Sequence, residues 1–559
     1  MVGRRRLPAA ISSLVVLVLA IGGNTATAGP TLPAAAGMAG KISVTKEMLQ
    51  LKAQAMAARD DPSVIDCEFT SSRNTNVNLD CDDVGEQGDA VFPNNEEHIV
   101  VDPVDPDHMI ASSNDYSSCC DEWYTTFDGG YSWTTGDISK QSDLGAGFGS
   151  DPVTAIDPKH GTAIHSSLSI HVNENGAVCD PNVVVSISTD GGITWDPDGE
   201  PVVVYPGSGC EDSGPIVFND KEWIVTDTNP GSPLYGRTYL TWSRFYEIDG
   251  VYQESPIWFS FSDDGGYTWA AAQEISGSGA FCTFQTAGPP LECDEDQFSV
   301  PTVGPDGTVT VAFENEQNDA TWEGSEQFEN QYLVVRSTNG GISWSHPIHV
   351  VDLEDGSTDY PINVDGRQTL TGFQVRVNSA GNVVADPNTG ELYLVFSDNR
   401  NGTRDVPNPE SNTDVFLMHS PDGTVWSGPY QVTKGLSDEW FPWADVDPVT
   451  GKVGIVYHGR DAGANTTYST YVAFWNGGGH YTVKRVSDKT SRARQSLWFR
   501  AGPGAPNCHQ CATFHGDYIS IDFGSDGAAN ISWTDMRRRV TYAGFTDYTE
   551  NTFFSRLTG

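Results

Sequence analysis

Short apolar segments recur in pairs along the chain, and the two members of each pair flank a turn of the kind Asp-Pro-x-x-Gly or its equivalent. Segments of this length, bounded by Gly, Pro and Asp, predict β-strands joined in antiparallel hairpins. Seven pairs occur, at residues 98–114, 152–170, 222–244, 301–315, 383–400, 442–460 and 518–537. We call the two strands of each pair A and B. A unit that recurs in this way predicts a repeat architecture dominated by strands.

An eight-residue motif, S/T-x-D-G-G-x-S/T-W, follows five of these pairs. Its acidic or amide residue is expected to cap backbone N–H groups of a tight turn, its glycines to adopt positive φ, and its Trp to pack into the sheet. These roles are structural, because a motif that recurs in many units serves what the units share. The five capping residues are Asp128, Asp190, Asp264, Asn339 and Asp422, the last in a copy one residue shorter.

Each motif is predicted to close a second hairpin, between strands C and D, so that one unit forms a four-stranded antiparallel blade. Seven units predict an all-β, seven-bladed β-propeller over residues 98–559, with a six-bladed ring as the alternative. After the seventh pair only one more strand, 551–556, is present. We expect a segment within residues 67–79 to supply the missing strand D and so leave no free sheet edge.

The motif resembles the Asp box, or BNR repeat, of the sialidase superfamily of β-propellers, and the resemblance covers most of residues 98–559. Most sialidases have six blades, so a count of seven departs from that family. The resemblance implies a glycosidase in which three arginines bind a substrate carboxylate, a Tyr activated by a Glu is the nucleophile, and an Asp is the general acid/base. Asp boxes also occur in propellers that only bind, and the F/Y-R-I-P arginine motif of sialidases is absent here.

Arginines follow strand B in four units, on the face expected to lie opposite the Asp boxes. A planar guanidinium matches a carboxylate, so these arginines are predicted to bind substrate. The alternative is that each one ties strand B to strand C by an ion pair within its own blade. The four residues are Arg244, Arg400, Arg460 and Arg537.

Acids and one tyrosine on the same face are the candidates for catalysis. Any two opposed carboxylates there would serve a glycosidase, and the sequence does not choose between them. Tyr518 is the predicted nucleophile, with a packing role as its alternative. The competing carboxylates are Asp115, Asp151, Glu247, Glu314, Glu316 and Asp517, of which Asp517, Asp151 and Glu314 are predicted to be catalytic together with Tyr518.

The segment before the repeats predicts export. Residues 1–28 combine three arginines, an apolar run and an Ala-Thr-Ala site, which is typical of a secretory signal peptide. Residues 29–62 predict a linker and a short helix, and residues 63–97 the closing strand and a disulfide loop. Export favours disulfides, and the neighbouring pairs are Cys67 with Cys81, Cys179 with Cys210, and Cys282 with Cys293. Cys508 and Cys511 predict a disulfide or loop staple, with half a zinc site as the weaker alternative.

Charge and composition limit the classes of molecule that this chain is expected to bind. The formal net charge is −44, which argues against nucleic acid and anionic membranes, and no later run is long enough for a membrane span. No cofactor is expected, although the acids at 292–296 offer hard oxygens for calcium, with a solvated loop as the alternative. We therefore predict a secreted, monomeric, sialidase-like glycoside hydrolase acting on a glycan or polysaccharide. The alternatives are a propeller that only binds carbohydrate or protein and, more weakly, a polysaccharide lyase.

Overall fold

A computed structural model describes residues 65–67, 76–80 and 93–558, apart from 117–119, 146, 174–177, 198, 211–213, 317–327, 357–358, 363–367, 374, 405, 436, 462–465, 493–513 and 543–544. Most of the described residues form β-strands. The helical segment among them is the short 3-10 helix Ser139–Leu144. The predicted signal peptide and the helix expected near residues 44–59 lie outside the described residues. Within the described part, no helix is long and apolar enough to cross a bilayer.

Seven antiparallel sheets follow one another along the chain, which confirms the seven-bladed propeller and excludes the six-bladed alternative. From strand A to strand D, blade 1 contains Asn94–Val101, Met109–Asp115, Glu122–Thr126 and Trp133–Asp137, and blade 2 contains Phe148–Asp157, Thr162–Val172, Val178–Ser188 and Val202–Tyr205. Blade 3 contains Ile216–Thr226, Thr238–Ile248, Ile257–Ser262 and Gln273–Glu274, and blade 4 contains Asp296–Val303, Val309–Glu316, Asn330–Ser337 and Ile348–Leu353. Blade 5 contains Val383–Ala385, Leu392–Asp398, Asp414–Ser420 and Ser427–Gln431, and blade 6 contains Glu439–Val446, Val453–Arg460, Tyr468–Trp475 and Tyr481–Arg485. Blade 7 takes its strands A to C from Ser520–Phe523, Ala529–Tyr542 and Phe545–Leu557.

Strand D of blade 7 comes from the N-terminal side of the chain. Val77–Asn78 pairs antiparallel with strand C of that blade, opposite Phe554 and Phe553. The backbone N–H of Leu79 extends this pairing to the Thr552 carbonyl at 2.9 Å. Two further strands enlarge other blades: Ile65–Cys67 lies beside strand D of blade 1, and Val251–Glu254 pairs with strand B of blade 3. The ring is therefore closed by segments distant in sequence.

The apolar core lies between neighbouring blades. On strand B of blade 3, Leu240 and Trp242 belong to a cluster that includes Val183 of blade 2, whereas Tyr239 packs with Val311 of blade 4. Successive side chains of a strand point to opposite faces, so a strand inside the ring buries both faces. This explains why polar residues such as Ser166 and Thr241 on strand B are buried together with the apolar ones.

The Asp boxes form the capped turns that the motif predicts. Asp190 accepts hydrogen bonds from the backbone N–H groups of Ile193 at 3.1 Å and Thr194 at 2.9 Å, and from the Thr194 hydroxyl at 2.7 Å. Gly191 and Gly192 have φ of 80° and 87°, which an L-residue adopts only with strain. Partial burial alone would raise the pKa of Asp190, but the hydrogen bonds from Thr194 and its neighbours outweigh it and lower that pKa.

Each Asp box also contacts the preceding blade, on the face where strands A and B turn. The Gly191 carbonyl lies 2.9 Å from Nε2 of His108 in blade 1, and the Gly192 carbonyl accepts from Thr125 at 2.9 Å. The same contact recurs around the ring, with donor to acceptor pairs Thr162 to Gly265, Arg237 to Gly340 and Arg336 to Asp422, and with Arg556 of blade 7 beside Gly129 of blade 1. The boxes therefore join adjacent blades far from the opposite face.

We expect Asp190→Ala to destabilise the fold by about 1 to 2 kcal/mol, because the turn loses the carboxylate that satisfies its N–H groups. Ligand binding and turnover per folded molecule should not change. Urea unfolding measures the first effect, with the exposed Glu200→Ala as a matched control in the following loop. A selective loss of binding in folded Asp190→Ala protein would contradict a structural role.

Two of the predicted disulfides are present, Cys179–Cys210 and Cys282–Cys293. The first ties strand C of blade 2 to the connection that leads into blade 3. The second closes the loop before strand A of blade 4. Cys81, Cys508 and Cys511, on which the other expected pairings depend, lie outside the described residues.

Candidate functional site

Strand A carries the same irregularity in most blades. In blades 1, 2, 3, 4 and 6 its pairing with strand B shifts register over two residues, as in a β-bulge. The first bulge residue has positive φ in every case: Glu96 at 61°, Asp151 at 59°, Lys221 at 53°, Phe298 at 55° and Phe441 at 52°. Gly516 of blade 7, two residues before Tyr518, has φ of 81°. Bulges redirect side chains. A positive φ strains the backbone of a non-glycine residue, and such strained residues cluster at functional sites.

Aromatic residues that follow the bulges close the propeller axis. The Trp223 ring lies 4.5 Å from that of Trp443, 5.1 Å from that of Tyr518 and 5.4 Å from that of His98, measured between centroids. We call these four residues the plug. On the side of the A–B turns, a cavity of about 480 Å³ is lined by strand A of all seven blades. The bulge residues lie on the other side of the plug, on the face opposite the Asp boxes.

Four carboxyl groups meet above the plug: Glu96, Asp151, Asp220 and Asp517, which we call the axial cluster. Burial, the charge of Asp151 and a hydrogen bond with it raise the pKa of Glu96 well above its usual value. Burial, followed by the charges of Asp151 and Asp517, raises the pKa of Asp220 to about 8. Burial and the neighbouring negative charges thus favour the protonated form of both groups. Two predicted catalytic residues, Asp151 and Asp517, are brought together here from blades 2 and 7.

Two cations accompany the axial cluster. Arg376, in the connection before strand A of blade 5, lies 3.1 Å from the Asp517 carboxylate, which also accepts from Asn378 at 2.8 Å. The ammonium of Lys221 lies 3.2 Å from the centroid of the Tyr518 ring and is buried. Its positive charge lowers the pKa values of Glu96 and Asp220, against the dominant effect of burial. The cluster thus combines opposite charges from blades 1, 2, 3, 5 and 7.

The four arginines predicted to bind substrate are each paired within their own blade. The contacts join Arg244 to Glu254 at 3.6 Å, Arg400 to Asp398 at 2.6 Å, Arg460 to Asp438 at 2.5 Å and Arg537 to Asp535 at 2.6 Å. The pairs of Arg400 and Arg537 are bidentate. This is the arrangement expected of arginines that tie strands together. It argues against a carboxylate clamp, so we do not carry the four residues into the proposed site.

Arg460→Ala should therefore lower stability by about 3 kcal/mol, because Asp438 would keep a buried charge without its partner. Turnover per folded molecule should stay within twofold of wild type. Thermal unfolding and kinetics on the same preparation measure both quantities, with the exposed Arg485→Ala as control. A folded Arg460→Ala protein that keeps its stability but loses substrate binding would support the prediction that these arginines bind a substrate carboxylate.

The surroundings of Tyr518 and Glu314 do not suit the catalytic roles predicted for them. Tyr518 is 1% exposed within the plug, and burial together with the charges of Glu96 and Asp151 raises its pKa well above the usual value. A tyrosine nucleophile needs the opposite shift, because the phenolate is the reactive form. Glu314 is buried inside blade 4, opposite Gln297 and Tyr332 in the sheet register. Neither is retained as a catalytic candidate.

Glu96, Asp220 and Lys221 were missed by the sequence analysis. They lie just before the apolar segments at 98–114 and 222–244, and the bulge interrupts the alternation that marks a strand. A signal was present, because a charged residue occurs two positions before the plug residues His98 and Trp223. Aligning the seven units on strand A would have shown this recurring position.

Buried acids that offer metal ligands lie elsewhere in the described part of the chain. Glu329, Glu354 and Asp359 place carboxylate oxygens within 4.8 Å of one another, and Arg404 Nε is 2.7 Å from Glu354. In the acidic loop at 292–296, burial and the neighbouring Glu295 raise the pKa of Asp294 to about 8. Calcium binding in that loop stays a prediction.

Comparisons with known proteins agree with the repeat. The BNR/Asp-box repeat family matches residues 186–197, which confirms the resemblance at that motif. No curated protein matches the chain. Among solved structures, a Penicillium chrysogenum alpha-L-arabinanase complexed with arabinobiose is 15% identical, with 74% of this chain and 98% of that chain covered and a TM-score of 0.41. A Trypanosoma rangeli sialidase in complex with sialic acid is 15% identical, with coverages of 75% and 59% and a TM-score of 0.37. A polysaccharide lyase, an ulvan lyase, is 11% identical, with coverages of 87% and 95% and a TM-score of 0.44.

Proposed function

We propose that this seven-bladed Asp-box propeller is a secreted glycoside hydrolase whose chemistry resides in the axial cluster. One observation carries the proposal: carboxyl groups from four blades meet on the axis, where burial and the charges of Asp151 and Asp517 raise the pKa of Asp220 to about 8. Hydrolysis of a glycosidic bond needs one carboxylic acid and one carboxylate on opposite sides of the bond. The two disulfides support an oxidising, extracellular location.

Roles within the cluster are assigned from the raised pKa of Asp220 and from the hydrogen bond between Glu96 and Asp151. Asp220, with a pKa of about 8, has a proton to give to the leaving oxygen and is assigned as general acid. Asp151 is assigned as nucleophile or general base. Glu96 is hydrogen-bonded to Asp151 and is therefore too close to it to act from the far side of the bond, since the two catalytic carboxyl groups lie roughly 5 to 9.5 Å apart. Glu96 positions Asp151 by donating a hydrogen bond to it.

Asp517 is held in place and not free to move. Its carboxylate is fixed between the Arg376 guanidinium and the Asn378 amide, which come from blade 5 across the axis. It is assigned to the binding of sugar hydroxyls, for which an oriented carboxylate is a good acceptor.

A panel of fluorogenic glycosides assayed with wild type, Asp151→Asn and Asp190→Ala tests the proposal. We expect release by wild type and by Asp190→Ala and its loss in Asp151→Asn. Release that survives in Asp151→Asn would remove the axial cluster from catalysis. The second candidate, a propeller that only binds, is favoured by the local pairing of all four arginines. Glycan-array binding by wild type without release from any glycoside would decide for it.

A further inference from the structure

We infer that the sugar bound at the axial cluster carries no charge. This inference rests on the proposed function, because it names the substrate class of the same site. An arginine clamp would instead require a substrate that carries a carboxylate. Three observations support the inference: the pairing of the four arginines, the ion pair of Arg376 with Asp517 together with the burial of Lys221 against the plug, and the number of carboxyl groups at the axis.

The first step concerns cations that a substrate carboxylate would need. Arg400, Arg460 and Arg537 hold acids of their own blades that are at most 2% exposed, so binding a ligand carboxylate would leave those acids buried and unpaired. Arg244 contacts Glu254, which is 34% exposed, and lies over the Tyr246 and Trp258 rings. Each of the four arginine side chains is at most 16% exposed, so little of its surface is open to solvent. These guanidinium groups are therefore not offered to a ligand.

The second step concerns the cations of the cluster itself. Arg376 is neutralised by Asp517 at 3.1 Å and lies 4.9 Å from the Phe514 ring. The Lys221 ammonium lies against the face of the Tyr518 ring at 3.2 Å and 5.1 Å from the Trp223 ring, so it is directed at the plug. Arg376 is therefore paired with an acid of the protein, whereas the buried Lys221 ammonium contacts aromatic rings and has no hydrogen-bond partner among the described residues.

The third step is the charge that a substrate would meet. The charges of Asp151 and Asp517 act on both Glu96 and Asp220, so the four carboxyl groups lie close together above the plug. An added carboxylate would face the charges of Asp151 and Asp517, while Arg376 is held by Asp517 and Lys221 is buried against the plug, and like charges brought together in a buried site repel one another. Hydroxyl groups meet no such penalty, because protonated and ionised carboxyl groups both bond to them.

Matched substrates test the inference. Methylumbelliferyl glucoside and galactoside, as both anomers, are compared with the corresponding glucuronide and galacturonide, which differ only in the carboxylate, and with a sialoside. We expect kcat/KM for an uncharged glycoside to exceed that of its uronide by roughly 100-fold or more. Faster release from a uronide or from the sialoside would overturn the inference while leaving the hydrolase intact.

Failure of the proposed function has a different signature. No release from any glycoside would reject the hydrolase, and array binding of the same matched sugars would then test the charge preference alone. Binding of the uncharged member supports the inference, and preferential binding of the uronide overturns it. In Asp517→Asn, which frees the Arg376 guanidinium, the preference for the uncharged member should shrink about tenfold. An unchanged ratio would contradict the part assigned to this ion pair.

Discussion

Asp220→Asn is expected to lower kcat/KM for glycoside release by about 10²-fold to 10⁴-fold, because the amide keeps the size of the side chain but has no proton to donate to the leaving oxygen. The loss should be larger for an alkyl glycoside than for an aryl glycoside, whose leaving group needs less protonation. Equilibrium binding of the sugar should stay within a few-fold of wild type. Steady-state kinetics and calorimetry on one preparation measure these effects.

The control for this variant lies in the same blade. Asp263 is paired with Arg237 at the Asp-box face, and its side chain is 60% exposed. Asp263→Asn should retain full activity. Equal activity losses in Asp263→Asn and Asp220→Asn would attribute the effect to the blade and not to the axial carboxyl group.

Asp220 also predicts a pH dependence of stability. Its pKa is about 8 in the folded chain, raised by burial and by the charges of Asp151 and Asp517, against roughly 4 in an unfolded chain. Between these values the folded state binds the extra proton, so this group makes stability fall as pH rises towards 8. Asp220→Asn should be more stable than wild type at about pH 9, and the difference should vanish below about pH 4.

Trp223→Ala is expected to destabilise the protein by about 3 to 5 kcal/mol, because it removes the ring that contacts His98, Trp443 and Tyr518 at the axis. Glycoside release should fall as well, since the Lys221 ammonium lies over this ring and the bulge that carries it adjoins Trp223. Guanidinium unfolding and kinetics measure the two effects.

A conservative variant separates packing from aromatic chemistry. Trp223→Phe retains a ring in the plug and should recover more than half of the lost stability. A loss below about 1 kcal/mol in Trp223→Ala would show that the plug does not hold the inner ends of the blades together.

The blades could be predicted because their signals are local. Asp190 caps N–H groups three and four residues away, and the glycines beside it adopt the positive φ that the turn requires. All the residues that form this turn lie within eight consecutive positions. The seven pairs of apolar segments predict the number of blades. The absence of a last strand similarly pointed to an N-terminal segment, which the structure places at Val77–Asn78.

The axial site was only partly predictable, because its contacts join residues far apart in sequence. Asp151 and Asp517 were named from their positions between blades, but nothing in the sequence shows that Arg376 faces Asp517 across 141 residues. For Arg400 the sequence did contain its partner, Asp398, two residues earlier. The charge of an arginine is visible in a sequence, whereas its pairing depends on the fold.

The pH dependence of glycoside release by wild type tests the central claim most directly, since it measures both the reaction and the proton that carries it. With Asp220 as general acid, kcat/KM should decline above about pH 8, where that carboxyl group ionises. The decline should have the slope of a single ionisation. Release that stays constant to about pH 10, or no release from any glycoside, would contradict a catalytic axial cluster.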